Sequence, residues 1–129
     1  MLLPTTPINL TINSNTSANS WLFKRSQLTF YKMERGQRIE VPMRLSPKAI
    51  QMIDCLAAKN LTHENTPTIC QYDELIKWIW PEDSFGKGNQ DINTLAKVIR
   101  VKLEEMGGSK EWLETKKTVG YILRISCEA

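Results

Sequence analysis

Apolar and polar residues alternate with a period of two in the first third of the chain. This alternation, with an enrichment in aromatic and β-branched residues, is typical of half-buried strands. Residues 8–12 and 38–42 show the alternation, and residues 21–23 and 28–31 show the enrichment. Polar turns separate these segments, and the clearest turn is Glu34–Gln37. The pattern predicts an antiparallel four-stranded sheet over residues 8–43.

A helical period replaces this alternation after residue 44. Ser46 and Pro47 form a typical helix start, because serine caps the first turn and proline lacks an N–H that would be unpaired there. Apolar residues then recur every three or four positions, which predicts helices over about 46–59, 72–80 and 91–106. Asp91 is the predicted N-cap of the third helix. The predicted buried stripe of that helix is Ile92, Ala96, Ile99 and Leu103.

The segment after the third helix predicts a β-hairpin. Two glycines end the helix, and residues 112–125 again favour strands. Lys116 and Lys117 fall at the predicted tip, and Gly120 is placed for the return of the chain. The order of sheet, three helices and hairpin predicts an α+β fold of the winged helix-turn-helix type.

Size and charge refine this prediction. A chain of 129 residues suits one domain over residues 1–129, with its core at about 8–125. The net charge is only +3, but residues 1–44 carry +4, residues 45–91 carry −3 and residues 92–129 carry +2. We therefore expect one basic surface and one acidic surface.

Several function classes are disfavoured. Cys55, Cys70 and Cys127 lack the spacing of a zinc site or a disulfide framework, which favours a reduced, cytoplasmic protein without a metal. No apolar run approaches the ~18 residues of a membrane span. The single histidine, His63, lies in a predicted loop, and no glycine-rich phosphate loop or paired carboxylates are evident. The sequence predicts neither enzyme activity nor a cofactor.

Four motifs stand in a characteristic order along the chain: Leu45–Ile50, Tyr72–Trp80, Ile99–Leu103 and Leu113–Tyr121. They resemble the LTxxE motif, the tryptophan-ended helix, the LRxKL motif and the IxTxxGxGY motif of the C-terminal DNA-binding domain of OmpR/PhoB-type transcriptional regulators. The resemblance covers most of the chain. It implies a winged helix-turn-helix that binds double-stranded DNA sequence-specifically in bacterial transcription regulation.

The resemblance also implies roles for the third helix, which in such domains enters the major groove. The matching exposed residues are Asn93, Thr94, Lys97 and Arg100. By their chemistry Asn93 suits an adenine edge, Thr94 a thymine methyl group, and Lys97 a guanine or a phosphate. Arg100 matches a position that contacts the DNA backbone.

The hairpin corresponds to the family's wing, whose basic tip enters the minor groove. Lys117 matches that basic position with Lys116 beside it, and Thr115 matches a phosphate contact. The loop at 82–91 corresponds to a loop that in some members contacts RNA polymerase. The resemblance further implies homodimers on tandem sites and no small-molecule substrate.

Some residues depart from the family pattern and leave an alternative open. Val98 and Val101 stand where many members carry Arg or Lys, Leu95 is half-exposed on a helical wheel, and Thr118 replaces the first wing glycine. The alternative function is a winged-helix protein-interaction module with reduced or no DNA binding. Two contexts also remain open, namely a stand-alone regulator and the cytoplasmic domain of a ToxR-like inner-membrane activator with a membrane span that follows.

Overall fold

Two sheets and three α-helices make up the part of the chain that the computed structural model describes, residues 20–129. The fold is α+β, as predicted. The helices are α1 (Pro47–Thr62), α2 (Tyr72–Ile79) and α3 (Asn89–Glu105). The strands are β1 (Trp21–Lys24), β2 (Thr29–Glu34), β3 (Gln37–Val41), β4 (Cys70–Gln71), β5 (Leu113–Lys116), β6 (Gly120–Leu123) and β7 (Ser126–Glu128). The predicted strand at 8–12 lies outside the described residues.

The larger sheet has the strand order β3-β2-β1-β7 and is mixed. Strands β1, β2 and β3 pair antiparallel, whereas β7 runs parallel to β1, with Leu22 opposite Ser126. The prediction of an antiparallel sheet contained within residues 8–43 is therefore wrong for this strand. Strand β7 has only three residues, too few to show a period. It pairs with a strand about a hundred residues away in sequence, and the Lys24–Glu128 ion pair at 2.9 Å links the two strands.

The smaller sheet has the order β4-β6-β5, and β5 and β6 form the predicted hairpin. Lys116 is not at its tip but is the last residue of β5, paired with Gly120. The tip consists of residues 117–119, and Thr118 takes the left-handed φ of 63°. Gly120 is the first residue of the returning strand, as predicted, and a Cβ there would lie 2.0 Å from the carbonyl oxygen of Cys70.

Side chains close in sequence stabilise the first turns of α1 and α3. Ser46 caps α1 by accepting a hydrogen bond from the Ala49 N–H at 3.3 Å, with Pro47 in the first position, as predicted. Helix α3 begins at Asn89, earlier than predicted, and Asp91 is not its N-cap. Instead, the Asp91 carboxylate lies inside the first turn and accepts a hydrogen bond from the Gly88 N–H at 2.8 Å.

Helix α1 extends past its predicted end at residue 59 because Asn60 is held inside the protein. Its Nδ2 donates to the Leu123 carbonyl at 2.8 Å, and its Oδ1 accepts from the Thr68 N–H at 2.8 Å. A buried amide with both ends paired stabilises the helix end against the hairpin. The predicted connection at 60–71 is correspondingly shorter, since it also contains β4.

The core lies where the three helices pack against the two sheets. The predicted stripe of α3 is fully buried, with Ile92, Ala96, Ile99 and Leu103 all inaccessible to solvent. The rings of Trp21 and Trp112 contact each other edge to face, with 5.1 Å between their centres, and this contact joins the larger sheet to the start of the hairpin. Within residues 20–129, no helix combines the length and apolar character that crossing a membrane requires.

Candidate nucleic-acid interface

Arg100 connects α3 to the β5–β6 hairpin. Its Nε and Nη2 donate to the Leu113 carbonyl at 3.0 and 2.7 Å, and Nη2 also donates to the Thr115 hydroxyl at 2.6 Å. The guanidinium lies over the ring of Tyr121, 5.5 Å from its centre. Arg100 and Thr115, both predicted phosphate contacts, are thus bonded to each other and fix the hairpin against the helix.

Asn93 forms a second connection on the same side of α3. Its Oδ1 accepts hydrogen bonds from the hydroxyls of Tyr72 at 2.8 Å and Tyr121 at 2.5 Å. Burial, followed by the neighbouring Tyr72, raises the pKa of Tyr121, so its hydroxyl remains a donor at neutral pH. Reading adenine needs both ends of an Asn amide. Here the two tyrosine hydroxyls occupy Oδ1 of Asn93, so its Nδ2 group is the one that can donate to a ligand.

Thr94 and Lys97 lie on the outward face of α3, opposite the buried stripe. Thr94 is exposed and its hydroxyl donates to the Gln90 carbonyl at 3.0 Å. Lys97 is exposed and makes no hydrogen bond or ion pair with any residue between 20 and 129. Val98 and Val101 share this face and are 42% and 52% exposed. The face therefore combines one uncommitted cation with an apolar surface.

The hairpin tip carries the second uncommitted cation. Lys117 is exposed and has no ion pair in the described part of the chain. Lys116, in contrast, is paired with Glu114 at 2.9 Å, and Arg124 binds the same carboxylate at 2.6 Å. These two cations lower the pKa of Glu114, which stays ionised and neutralises part of their charge. Of these two lysines, Lys117 is the one available to an anionic ligand.

A groove of about 690 Å³ lies beside the Arg100 link, along β5 and the turn before it. Its lining includes three cations and two carboxylates, together with two other residues: Arg100, Lys110, Arg124, Glu111, Glu114, Leu113 and Thr115. The mixed charges leave little net attraction for a phosphate inside the groove itself. Lys97 and Lys117, the exposed cations on α3 and at the hairpin tip, are not among the residues that line it.

The loop between α2 and α3 is shorter than predicted. Residues 89–91 of the predicted 82–91 loop belong to α3. A 3-10 turn at Ser84–Gly86 presents Phe85 with its ring fully exposed. Large exposed aromatic side chains are frequent in protein–protein contacts, so this loop has the character of a contact surface.

The sequence did not predict the side-chain contacts that connect the helices to the smaller sheet. Tyr72 and Tyr121 were visible in the motifs, but their shared bond to Asn93 depends on the tertiary fold. The buried thiols of Cys55 and Cys70 lie 3.5 Å apart, although no short cysteine motif signals it. Among residues 20–129 no group of three or more His, Cys, Asp or Glu is arranged to hold a metal ion.

A scan against protein-family models found no matching family, and a search of curated proteins found no similar protein. The geometry of α3 and the hairpin is therefore the basis for the functional proposal that follows.

Proposed function

We propose that this chain is a winged helix-turn-helix protein that binds double-stranded DNA sequence-specifically and regulates bacterial transcription in the cytoplasm. Helix α3 enters the major groove, and the β5–β6 hairpin is the wing that reaches the minor groove. The observation that carries the proposal is the pair of exposed, uncommitted cations, Lys97 and Lys117, on two elements that Arg100 holds together.

The outward face of α3 suits base contacts as well as phosphate contacts. Thr94 and Val98 are exposed methyl-bearing residues, and such side chains contact the thymine methyl group. Lys97, about one turn after Thr94 and adjacent to Val98 in the chain, donates to guanine or phosphate. An Nδ2 donor remains on Asn93 for a base acceptor. This surface is suited to contacts with thymine methyl groups and with a guanine or a phosphate.

The site residues divide into two groups in this proposal. Lys97, Thr94 and Lys117 contact DNA directly. Arg100 and Thr115 are positioning residues, because their polar groups bind each other and the Leu113 carbonyl. Lys116 contributes less than Lys117, since its charge is paired with Glu114.

Selection of bound sequences from a random duplex pool tests this function. An enriched motif, followed by a titration of that duplex at low salt, is the expected result. The double variant Lys97→Ala/Lys117→Ala should lose most of the affinity. Lys32→Ala, which removes a lysine paired with Glu34 on the larger sheet, should retain it. Failure of the wild-type protein to bind any duplex at low salt would refute DNA binding.

The apolar surface supports a second candidate, a winged-helix module that binds a protein partner, with reduced or no DNA binding. Val98 and Val101 are exposed on α3, and Val119 is exposed on the hairpin. Val98→Glu places a carboxylate on that face. Loss of a protein complex with unchanged DNA affinity would favour this candidate, and loss of DNA affinity alone would reject it.

The proposal extends to two partners. Phe85, exposed on the loop before α3, is the proposed contact for RNA polymerase. A homodimer on tandem half-sites is the proposed arrangement on DNA. Phe85→Ser should reduce transcription from a target promoter while leaving DNA affinity unchanged, and a fall in DNA affinity would contradict the first assignment.

A further inference from the structure

Two buried thiols face each other between α1 and β4. The Sγ atoms of Cys55 and Cys70 are 3.5 Å apart, and the residues are only 4% and 1% exposed. A small cavity of about 190 Å³ reaches both of them, and its lining includes Lys59 and Trp78. The third cysteine, Cys127, is held separately by a bond from its Sγ to the Ile125 carbonyl at 3.2 Å.

We propose that Cys55 and Cys70 form a disulfide when the protein meets a hydroperoxide, and that this bond weakens DNA binding. The second half of the inference rests on the proposed function. A disulfide has an S–S length of about 2.05 Å, so the sulfurs must approach well inside their present 3.5 Å. Helix α1 has 16 residues and a core face, whereas β4 has two residues. Rotation of the two side chains supplies part of this approach, and we assign the rest to β4 as the shorter element.

Movement of β4 reaches the DNA-binding elements through direct contacts. Cys70 pairs with Tyr121 of β6, and the backbone at Gly120 lies against the Cys70 carbonyl without room for a Cβ. Tyr121 in turn donates to Asn93 and lies beneath the Arg100 guanidinium. A shift of β4 thus changes the positions of both the hairpin and the side chains that tie it to α3.

The chemistry is balanced with hydrogen peroxide as the oxidant. One thiolate attacks the peroxide, its O–O bond breaks, and a sulfenic acid and hydroxide form. The second thiol then attacks the sulfenic sulfur, an S–S bond forms, and the sulfenic oxygen leaves as water. Overall, two thiols and one peroxide give one disulfide and two waters. A dithiol reductant reverses the bond by thiol–disulfide exchange.

Oxidation should be slow in the folded protein. The hydrogen bond with Cys70, together with burial, raises the pKa of the Cys55 thiol. Because the thiolate is the reactive form, the rate should increase with pH. The small cavity that reaches both sulfurs provides the entry for a molecule of the size of peroxide.

The experiment treats the purified chain with hydrogen peroxide and measures three quantities: thiols in denaturant, disulfide-linked peptides, and affinity for the selected duplex. The wild-type count should fall from three thiols to one, with Cys55 and Cys70 in one linked peptide. The dissociation constant should rise about tenfold, within the usual range of coupling between sites, and dithiothreitol should restore it.

Two variants separate this effect from other oxidation. Cys127→Ser should still form the disulfide and lose affinity. Cys55→Ser keeps every methionine but lacks the pair, so peroxide should leave its affinity unchanged. Absence of the linked peptide in the wild type overturns the inference, as does equal affinity of the oxidised and reduced proteins.

Failure of the proposed function gives a different result, namely a reduced protein that binds no duplex. Amide hydrogen exchange in β6 then decides the structural half of the inference. A change in exchange on oxidation supports the movement of β4 and the hairpin, and unchanged exchange overturns it.

Discussion

Arg100 of α3 donates two hydrogen bonds to the main-chain carbonyl of Leu113, at 3.0 Å from Nε and 2.7 Å from Nη2. Strand β5, which contains Leu113, lies at the edge of the smaller sheet. The planar guanidinium covers part of that open edge with a fork that no other side chain provides. Arg100, which the sequence predicted as a contact to the DNA backbone, therefore holds the hairpin in place.

Arg100→Lys should destabilise the protein without altering its charge. An ammonium group cannot reproduce the fork to the Leu113 carbonyl and the Thr115 hydroxyl. We expect the free energy of unfolding to fall by about 1.5–3 kcal/mol, the range of hydrogen bonds to charged groups. Urea unfolding followed by tryptophan fluorescence measures it. Arg124→Lys, at an exposed pair with Glu114, is the control and should change stability little. Equal effects of the two variants would contradict the role of Arg100.

Lys117→Ala should lower the salt dependence of DNA binding. Each phosphate contact contributes about 0.9 to the slope of log K against log salt, so the slope should decrease by about that amount. Titrations at several salt concentrations measure it. Lys116→Ala removes the same charge from the same strand end, but that charge is paired with Glu114. Its slope should change less, and a larger change for Lys116→Ala would reverse the assignment.

Gly120→Ala should disrupt the contact between β6 and β4. The new Cβ would lie 2.0 Å from the Cys70 carbonyl oxygen, and backbone cannot rotate away as a side chain can. We expect a loss of about 1–3 kcal/mol in the free energy of unfolding, as for other overpacked sites. The matched control is Gly88→Ala, because a Cβ at Gly88 meets no atom within 4 Å. Thermal unfolding of both variants distinguishes close approach from a general cost of replacing glycine.

Glu74 should make α1–α2 packing sensitive to acid. The hydrogen bond from Lys59 lowers the pKa of the Glu74 carboxyl below its ordinary 4.5. A lowered folded-state pKa stabilises the protein above pH 4.5, and this contribution disappears as the pH falls through the folded-state value. Glu74→Gln keeps an acceptor for the Gln71 N–H but removes the charge.

The stability difference between the wild type and Glu74→Gln is therefore expected at neutral pH and should vanish in acid. The side chain is 42% exposed, so the difference should stay below about 1 kcal/mol. Urea unfolding at a series of pH values measures it. Glu82→Gln, in the exposed loop after α2, is the control. A difference for Glu74→Gln that grows in acid would contradict the sign of the pKa shift.

Features that depend on neighbouring residues in the chain were predictable from the sequence. The Ser46 cap of α1, the buried stripe of α3 and the Glu34–Gln37 turn are all present in the structure. Each is decided within a few residues, by capping geometry, helical period or the φ angles that a turn requires. Local physics thus suffices for most of the helices and for the hairpin.

Features that depend on distant partners were not predictable. Strands β4 and β7 are too short to show a period, and each forms only because another strand lies beside it. On a helical wheel, Arg100 has the same position whether its guanidinium reaches DNA or bends back to Leu113. The choice between these outcomes depends on β5, which lies well beyond the helix in sequence. For the same reason the helical wheel predicts that both Lys97 and Arg100 are exposed, although in the structure Arg100 is hydrogen-bonded to Leu113.

The parallel pairing of β1 with β7 has a consequence for synthesis on the ribosome. Lys24 and Glu128, which bond across this pair, are 104 positions apart. Until residues 126–128 have been translated, the nascent chain carries β1 with an open edge, and such edges are where unfinished chains associate. Closing so long a loop is also a slow step in folding. The nascent chain is therefore open to association at this edge from the synthesis of β1 until β7 has been made.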